Sequence, residues 1–211
     1  KYPANLRHRI RVVHNGLAWQ ASSLTRKAAR DQFCLPVDAK LMLAVGRLHE
    51  QKNYPYLLSV LRGVDDIELA IAGDGDLRPQ LEAMIQEYGL AARVHLLGNV
   101  PRTEIPDLLR AADVFVQPSL YEGQSNSLIE ALHEGLPVLA SDIPEQREAL
   151  SDETGNVAGY LLPLDDPQAW HTPIATLFEE PAHRKARAAS LKRAKYFTIE
   201  RMIDGFEASL R

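Results

Sequence analysis

The chain has 211 residues, a hydrophobic fraction of 45% and a formal net charge of −4. That size suits one sizeable domain or two small ones, and that hydrophobic fraction supports a packed core and excludes wholesale disorder. Mild acidity with scattered Lys and Arg argues against a nucleic-acid surface, though not against a local anion pocket.

Short apolar runs alternate with helical patterns. RIRVVH (9–14) reads as a strand and ends in the turn Asn15-Gly16. LMLAVG (41–46), IELAIAG (67–73), VHLLG (94–98), VFVQP (114–118) and PVLAS (137–141) follow, with GYLLP (159–163) as a weaker strand. Their nearly continuous apolar character is that of strands buried on both faces. Between them, LRPQLEAMIQEYG (77–89) carries Leu77, Leu81, Met84, Ile85 and Tyr88 at helical spacing and stops at Gly89. TEIPDLLRAAD (103–113) and NSLIEALHEG (126–135) are similar, and the chain turns wholly helical after about residue 166. Strand–helix alternation predicts an α/β fold: a Rossmann-like, doubly wound parallel sheet of about six strands over 9–165, with a helical segment over 166–211.

In such a sheet, ligands bind beyond the carboxyl ends of the strands. The unusual residues gather there, in GRLHEQK (46–52), GDGD (73–76), GNVPRTE (98–104), PSLYEGQSNS (118–127) and SDIPEQRE (141–148). Arg47 and Lys52 offer a planar fork and a point charge that together match a diphosphate; either can also be an ordinary solvated loop cation. Ser125, Asn126 and Ser127 are small and polar at a helix start, where backbone N–H groups and the helix dipole favour an anion. The same residues also serve plain N-capping. Glu122 and Glu130 stand eight positions apart, one in the loop and one inside the helix. Beside a diphosphate each would need hydroxyl donors, as sugar and ribose provide; the alternative is a solvated loop carboxylate and a helical ion pair.

VGRLHEQKN, IAGDGDLRPQLE, VHLLGNV, ADVFVQPSLYEGQSNSLIEALHEGLPVLASDIP and GYLLPLDD occur in this order. Together they resemble the carboxyl-terminal, donor-binding half of a family 4 retaining glycosyltransferase with the two-domain GT-B fold, over roughly residues 10–165. The resemblance implies that Arg47 and Lys52 contact the donor diphosphate, that Glu122 faces the transferred sugar and that Glu130 binds ribose hydroxyls. It implies that Asn99 and Val100 hold the base largely through backbone groups. It implies front-face transfer from a nucleoside diphosphate sugar to a glycan or lipid-linked acceptor, with no metal and no cofactor. An amino-terminal acceptor domain would be absent from this chain, leaving it inactive alone. The setting implied is polysaccharide biosynthesis by a cytoplasmic enzyme whose other half can touch a membrane surface. Two departures are Asn53, where many relatives have Gly, and the polar Ser125-Asn126-Ser127, where many are more apolar. They bear on the identity of the sugar.

Other signals are weaker. GDGD lacks the third glycine of a dinucleotide fingerprint, with Arg78 in its place. Asp74-Gly75-Asp76 is also a D-x-D string, but a turn with Asp76 capping the next helix explains it. Histidines show no metal spacing; His49 and His133 read as surface or core residues. Cys34, the only cysteine, excludes an intrachain disulfide, fits a reducing compartment and reads as a structural thiol. No apolar run has transmembrane length, and KYPANLRHR is not a signal peptide. Two competing classes are a noncatalytic nucleotide-sugar-binding module and a GT-B-type epimerase or phosphorylase. The epimerase would be expected to add acid/base residues at the cleft and the phosphorylase a cofactor lysine, and neither pattern is evident.

Overall fold

The computed structural model describes residues 12–210. Six strands form one parallel sheet: β1 (Lys40–Val45), β2 (Ile67–Ala72), β3 (Val94–Gly98), β4 (Val114–Gln117), β5 (Val138–Ser141) and β6 (Tyr160–Leu162). Their spatial order is β3-β2-β1-β4-β5-β6, so the order of strand addition switches sides between β1 and β4, which run parallel. The switch opens a crevice at the carboxyl ends of those strands.

The central strands β1, β2, β4 and β5 bury both faces, while the edge strands β3 and β6 are only partly buried. In β1, Leu41 and Leu43 face one helical layer while Met42 and Ala44 face the other. The first layer holds α1 (Arg26–Gln32), α4 (Ile105–Ala111), α5 (Asn126–Glu134), α6 (Pro144–Leu150) and part of α8 (Glu180–Ala194). The second holds α2 (Tyr54–Leu61), α3 (Arg78–Glu87) and α7 (His171–Leu177). This is the doubly wound parallel sheet expected from the apolar runs. Helix α5 stops where expected, with Gly135 in the left-handed conformation at φ 76°.

The amino-terminal run departs from expectation. Residues 9–11 of RIRVVH lie outside the described residues, and Val12–His14 belong to no strand. Val12 is instead exposed, and this segment runs against α9 (Ile199–Leu210), where Leu17 bridges Thr198. Asp76 does not cap α3: Leu77 occupies that position without a side-chain bond, and the Gly75 N–H donates to Asp74 Oδ1 at 2.8 Å. Cys34 is exposed at a φ of 53°, which does not fit a structural thiol.

Candidate functional site

The carboxyl ends of β1, β2 and β3 draw together through backbone. Gly46 N–H donates to Ala72 O at 2.9 Å, and Gly73 N–H to Gly98 O at 2.7 Å. A Cβ on Gly73, at φ +141°, would sit 2.0 Å from Gly46 O, so only glycine permits this contact. Gly46 likewise leaves room for the aliphatic stem of Lys52, whose Cε would lie 2.9 Å from a Cβ there. A cavity of about 240 Å³ opens above, lined by Arg47, Asn99 and Val100 among others. Arg47 is exposed, and among the described residues no side chain or backbone group bonds its guanidinium.

After Arg47 the chain makes a short 3-10 turn, Glu50–Lys52, and Asn53 follows at φ 54°, ψ 38°. Asn is the common non-glycine occupant of this left-handed region. The departure from Gly at this position is therefore conformationally conservative. The turn aims Lys52 inward. Its Nζ lies 2.5 Å from Glu122 Oε1, with the two side chains only 15% and 6% exposed. Glu122 also accepts from Gln117 Nε2 at 2.9 Å, Ser119 Oγ at 2.7 Å and Gln51 Nε2 at 3.2 Å. A buried carboxylate requires such a set of donors. Its charge also helps push the Tyr54 phenol well above its ordinary pKa, although burial of Tyr54 is the larger cause.

The network continues into α5. Ser125 Oγ donates to Gln117 Oε1 at 2.9 Å, accepts from Leu128 N–H at 3.4 Å and lies 3.1 Å from Ser127 Oγ. Lys52, Glu122, Ser125 and Ser127 are thus joined through Gln117, while Asn126 opens the helix in an exposed position. Gln51, Gln117 and Ser119 carry no motif of their own. The signal available was a polar Gln closing the otherwise apolar strand VFVQ.

Glu130 faces elsewhere. It lines a cavity of about 690 Å³ formed with residues 16–23 and with Arg102, whose Nη2 is 4.0 Å away. Burial raises its pKa, and Arg102 partly opposes the rise. Ile105 lines this cavity and the one holding Arg47, so the two adjoin. Among the described residues no group of three or more His, Cys, Asp or Glu is arranged to hold a metal ion.

Residues 25–195 match the family profile of the glycosyl transferases group 1. The chain belongs to that family. A D-inositol 3-phosphate glycosyltransferase of Xylanimonas cellulosilytica is 31% identical over 179 residues, covering 82% of this chain and 42% of the relative. The Escherichia coli UDP-Gal:alpha-D-GlcNAc-diphosphoundecaprenol alpha-1,3-galactosyltransferase is 32% identical over 168 residues, covering 75% and 42%. The crystal structure of Anabaena Alr3699/HepE in complex with UDP and glucose superposes with a TM-score of 0.83 at 22% identity, covering 95% of this chain and 56% of that one. This group 1 glycosyl transferase chain therefore shares its fold with one half of that protein's length. It spans about half, or less, of the curated relatives it matches. Among its described residues no helix is long and apolar enough to cross a membrane.

Proposed function

We propose that this chain is the nucleotide-sugar donor-binding domain of a retaining glycosyltransferase, one half of a GT-B enzyme. In that reading the full-length protein moves a sugar from a nucleoside diphosphate sugar to a glycan or lipid-linked acceptor, in cytoplasmic polysaccharide biosynthesis at or near a membrane. The chain alone binds donor and transfers nothing, because the acceptor half lies outside it.

The observation that carries the reading is the direct contact between Lys52 and Glu122, the latter in the loop that leads into α5. It sets a cation suited to a phosphate beside a carboxylate suited to sugar hydroxyls, so diphosphate and sugar subsites would share a boundary. As the anomeric bond breaks, negative charge builds on the leaving diphosphate. Arg47, Lys52 and the Asn126 and Ser127 N–H groups, which precede the helix's own hydrogen-bond ladder, would receive it. Glu122 would orient the sugar, Glu130 the ribose, and Asn99 and Val100 the base. Two cations and a helix end match a diphosphate without a metal.

Substitution tests the phosphate assignment. Arg47→Ala and Lys52→Ala should each weaken nucleoside diphosphate binding by roughly ten- to a hundredfold, the loss of a charge-assisted hydrogen bond. Isothermal titration with UDP, GDP and ADP measures this and reveals the base preference. Unchanged affinity in both variants, or a strict manganese requirement, would refute the assignment.

A further inference from the structure

The loop between β4 and α5 holds Glu122, yet it has little packing of its own. Leu120 and Tyr121 are 42% and 56% exposed, and a Cβ on Gly123 would meet nothing within 4 Å. Gln51 fixes one side: Leu120 N–H donates to Gln51 O at 2.9 Å, and Gln51 Nε2 donates to Tyr121 O at 3.0 Å. Gln124 fixes the other. Its Oε1 accepts from Asn15 N–H at 2.6 Å and its Nε2 donates to Asn15 O at 3.1 Å. One carboxamide thus satisfies both backbone groups of a residue 109 positions away, in the manner of a strand partner.

The segment it grips is itself anchored. His14 Nε2 lies 2.8 Å from Glu148 Oε1 on α6, and the His14 ring meets Tyr196 edge-on with centroids 5.5 Å apart. Gly16 N–H donates to Met202 Sδ on α9 at 3.4 Å, and Leu17 N–H to Phe197 O at 3.0 Å. A Cβ on Gly16 would lie 2.0 Å from Thr198 O, so the two backbones are in close contact.

We propose that Gln124 is a positioning residue: it registers the Glu122 loop against the anchored 14–17 segment and so fixes where Glu122 meets the donor sugar. The functional half of this statement rests on the donor-binding reading above; the structural half does not. A shift of the 14–17 segment moves the Gln124 backbone two residues from Glu122, whereas Arg47 and Lys52 lie on a different loop and the Asn126 and Ser127 N–H groups are held in place by the buried Ser125 cap of α5, which bonds Gln117 and Leu128. The loop would therefore report segment position as sugar affinity, not as nucleotide affinity.

Gln124→Leu keeps the side-chain bulk and removes both bonds. In the ligand-free chain, amide hydrogen exchange across residues 120–123 should quicken by about tenfold while β4 stays protected, as local opening becomes easier. Unchanged exchange there, or quickening confined to residues 12–17, would overturn the proposal. The second arm uses UDP, GDP or ADP, whichever the wild type binds, and the matching nucleoside diphosphate glucose. The variant should bind the glucose nucleotide about three- to tenfold more weakly and the free diphosphate equally well. Equal losses for both ligands would overturn the positioning role. Wild-type chain that binds none of the three diphosphates sinks the donor reading alone, because exchange in the ligand-free protein still decides what Gln124 holds.

Discussion

At the residue scale, two glutamates in one helix–loop unit have different surroundings. Glu122 is enclosed by a lysine and three neutral donors, whereas Glu130 faces one arginine across 4.0 Å. Glu122→Ala should leave free diphosphate binding within about twofold of wild type, since Lys52 remains and loses a competitor for its charge. The same change should weaken an intact nucleotide sugar. Glu130→Ala should weaken both ligands by roughly tenfold or more. Titration of the two variants against the two ligands checks the contrast; equal losses at Glu122 would mean that it touches the nucleotide or only braces its loop. Glu130 also sets a pH dependence. Its folded-state pKa is raised, by burial first. It therefore favours the fold below the ordinary carboxylate range, and that contribution is lost as pH rises through the raised value. Glu130→Gln should melt higher than wild type at neutral pH, and the difference should close on acidification. A difference that grows towards acid would show the opposite sign.

At the element scale, α5 couples helix stability to site geometry. Ser125 is buried, caps Leu128 N–H and orients Gln117, which in turn donates to Glu122. Ser125→Ala should cost about 1–2 kcal/mol, a fall of roughly 2–8 °C in Tm, readable by calorimetry. It should also loosen Glu122, weakening sugar-nucleotide binding beyond what stability alone would give. The sheet is legible in the sequence because β1, β2, β4 and β5 are nearly continuous apolar runs, and that pattern has few alternatives. Residues 12–14 form no strand although RIRVVH has the pattern of one, and the partners that hold this segment, Glu148 and Tyr196 at His14 and Met202 at Gly16, are more than a hundred positions distant. Sequence pattern carries local periodicity and little about long-range pairing. The same limit hid Gln51, Gln117, Ser119 and Gln124: each is a common polar residue whose role exists only once the loops converge. Arg47, Lys52, Glu122 and Glu130 stand out through the motifs that resemble the glycosyltransferase family, since each alone also reads as an ordinary loop cation, loop carboxylate or helical ion pair. Their spatial relation, with Lys52 on Glu122 and Glu130 on a separate cavity, was not legible.

At the scale of the whole molecule, the switch in strand order between β1 and β4 gathers the loops that carry Arg47, Lys52 and Glu122 beside the start of α5. The family match places the chain among the glycosyl transferases group 1, and its fold is shared with about half the length of a solved protein. The chain spans about half, or less, of its curated relatives, and the proposal that follows is one of division: this half holds the donor and another presents the acceptor. The central claim is then that this chain, unaided, holds a nucleoside diphosphate. Calorimetric titration of the unsubstituted chain with UDP, GDP and ADP, each with and without EDTA, tests it most directly. The account predicts saturable binding of one equivalent of at least one of the three, with affinity unaffected by EDTA and a decline as salt rises. No saturable heat with any of them, or binding that EDTA abolishes, would contradict it.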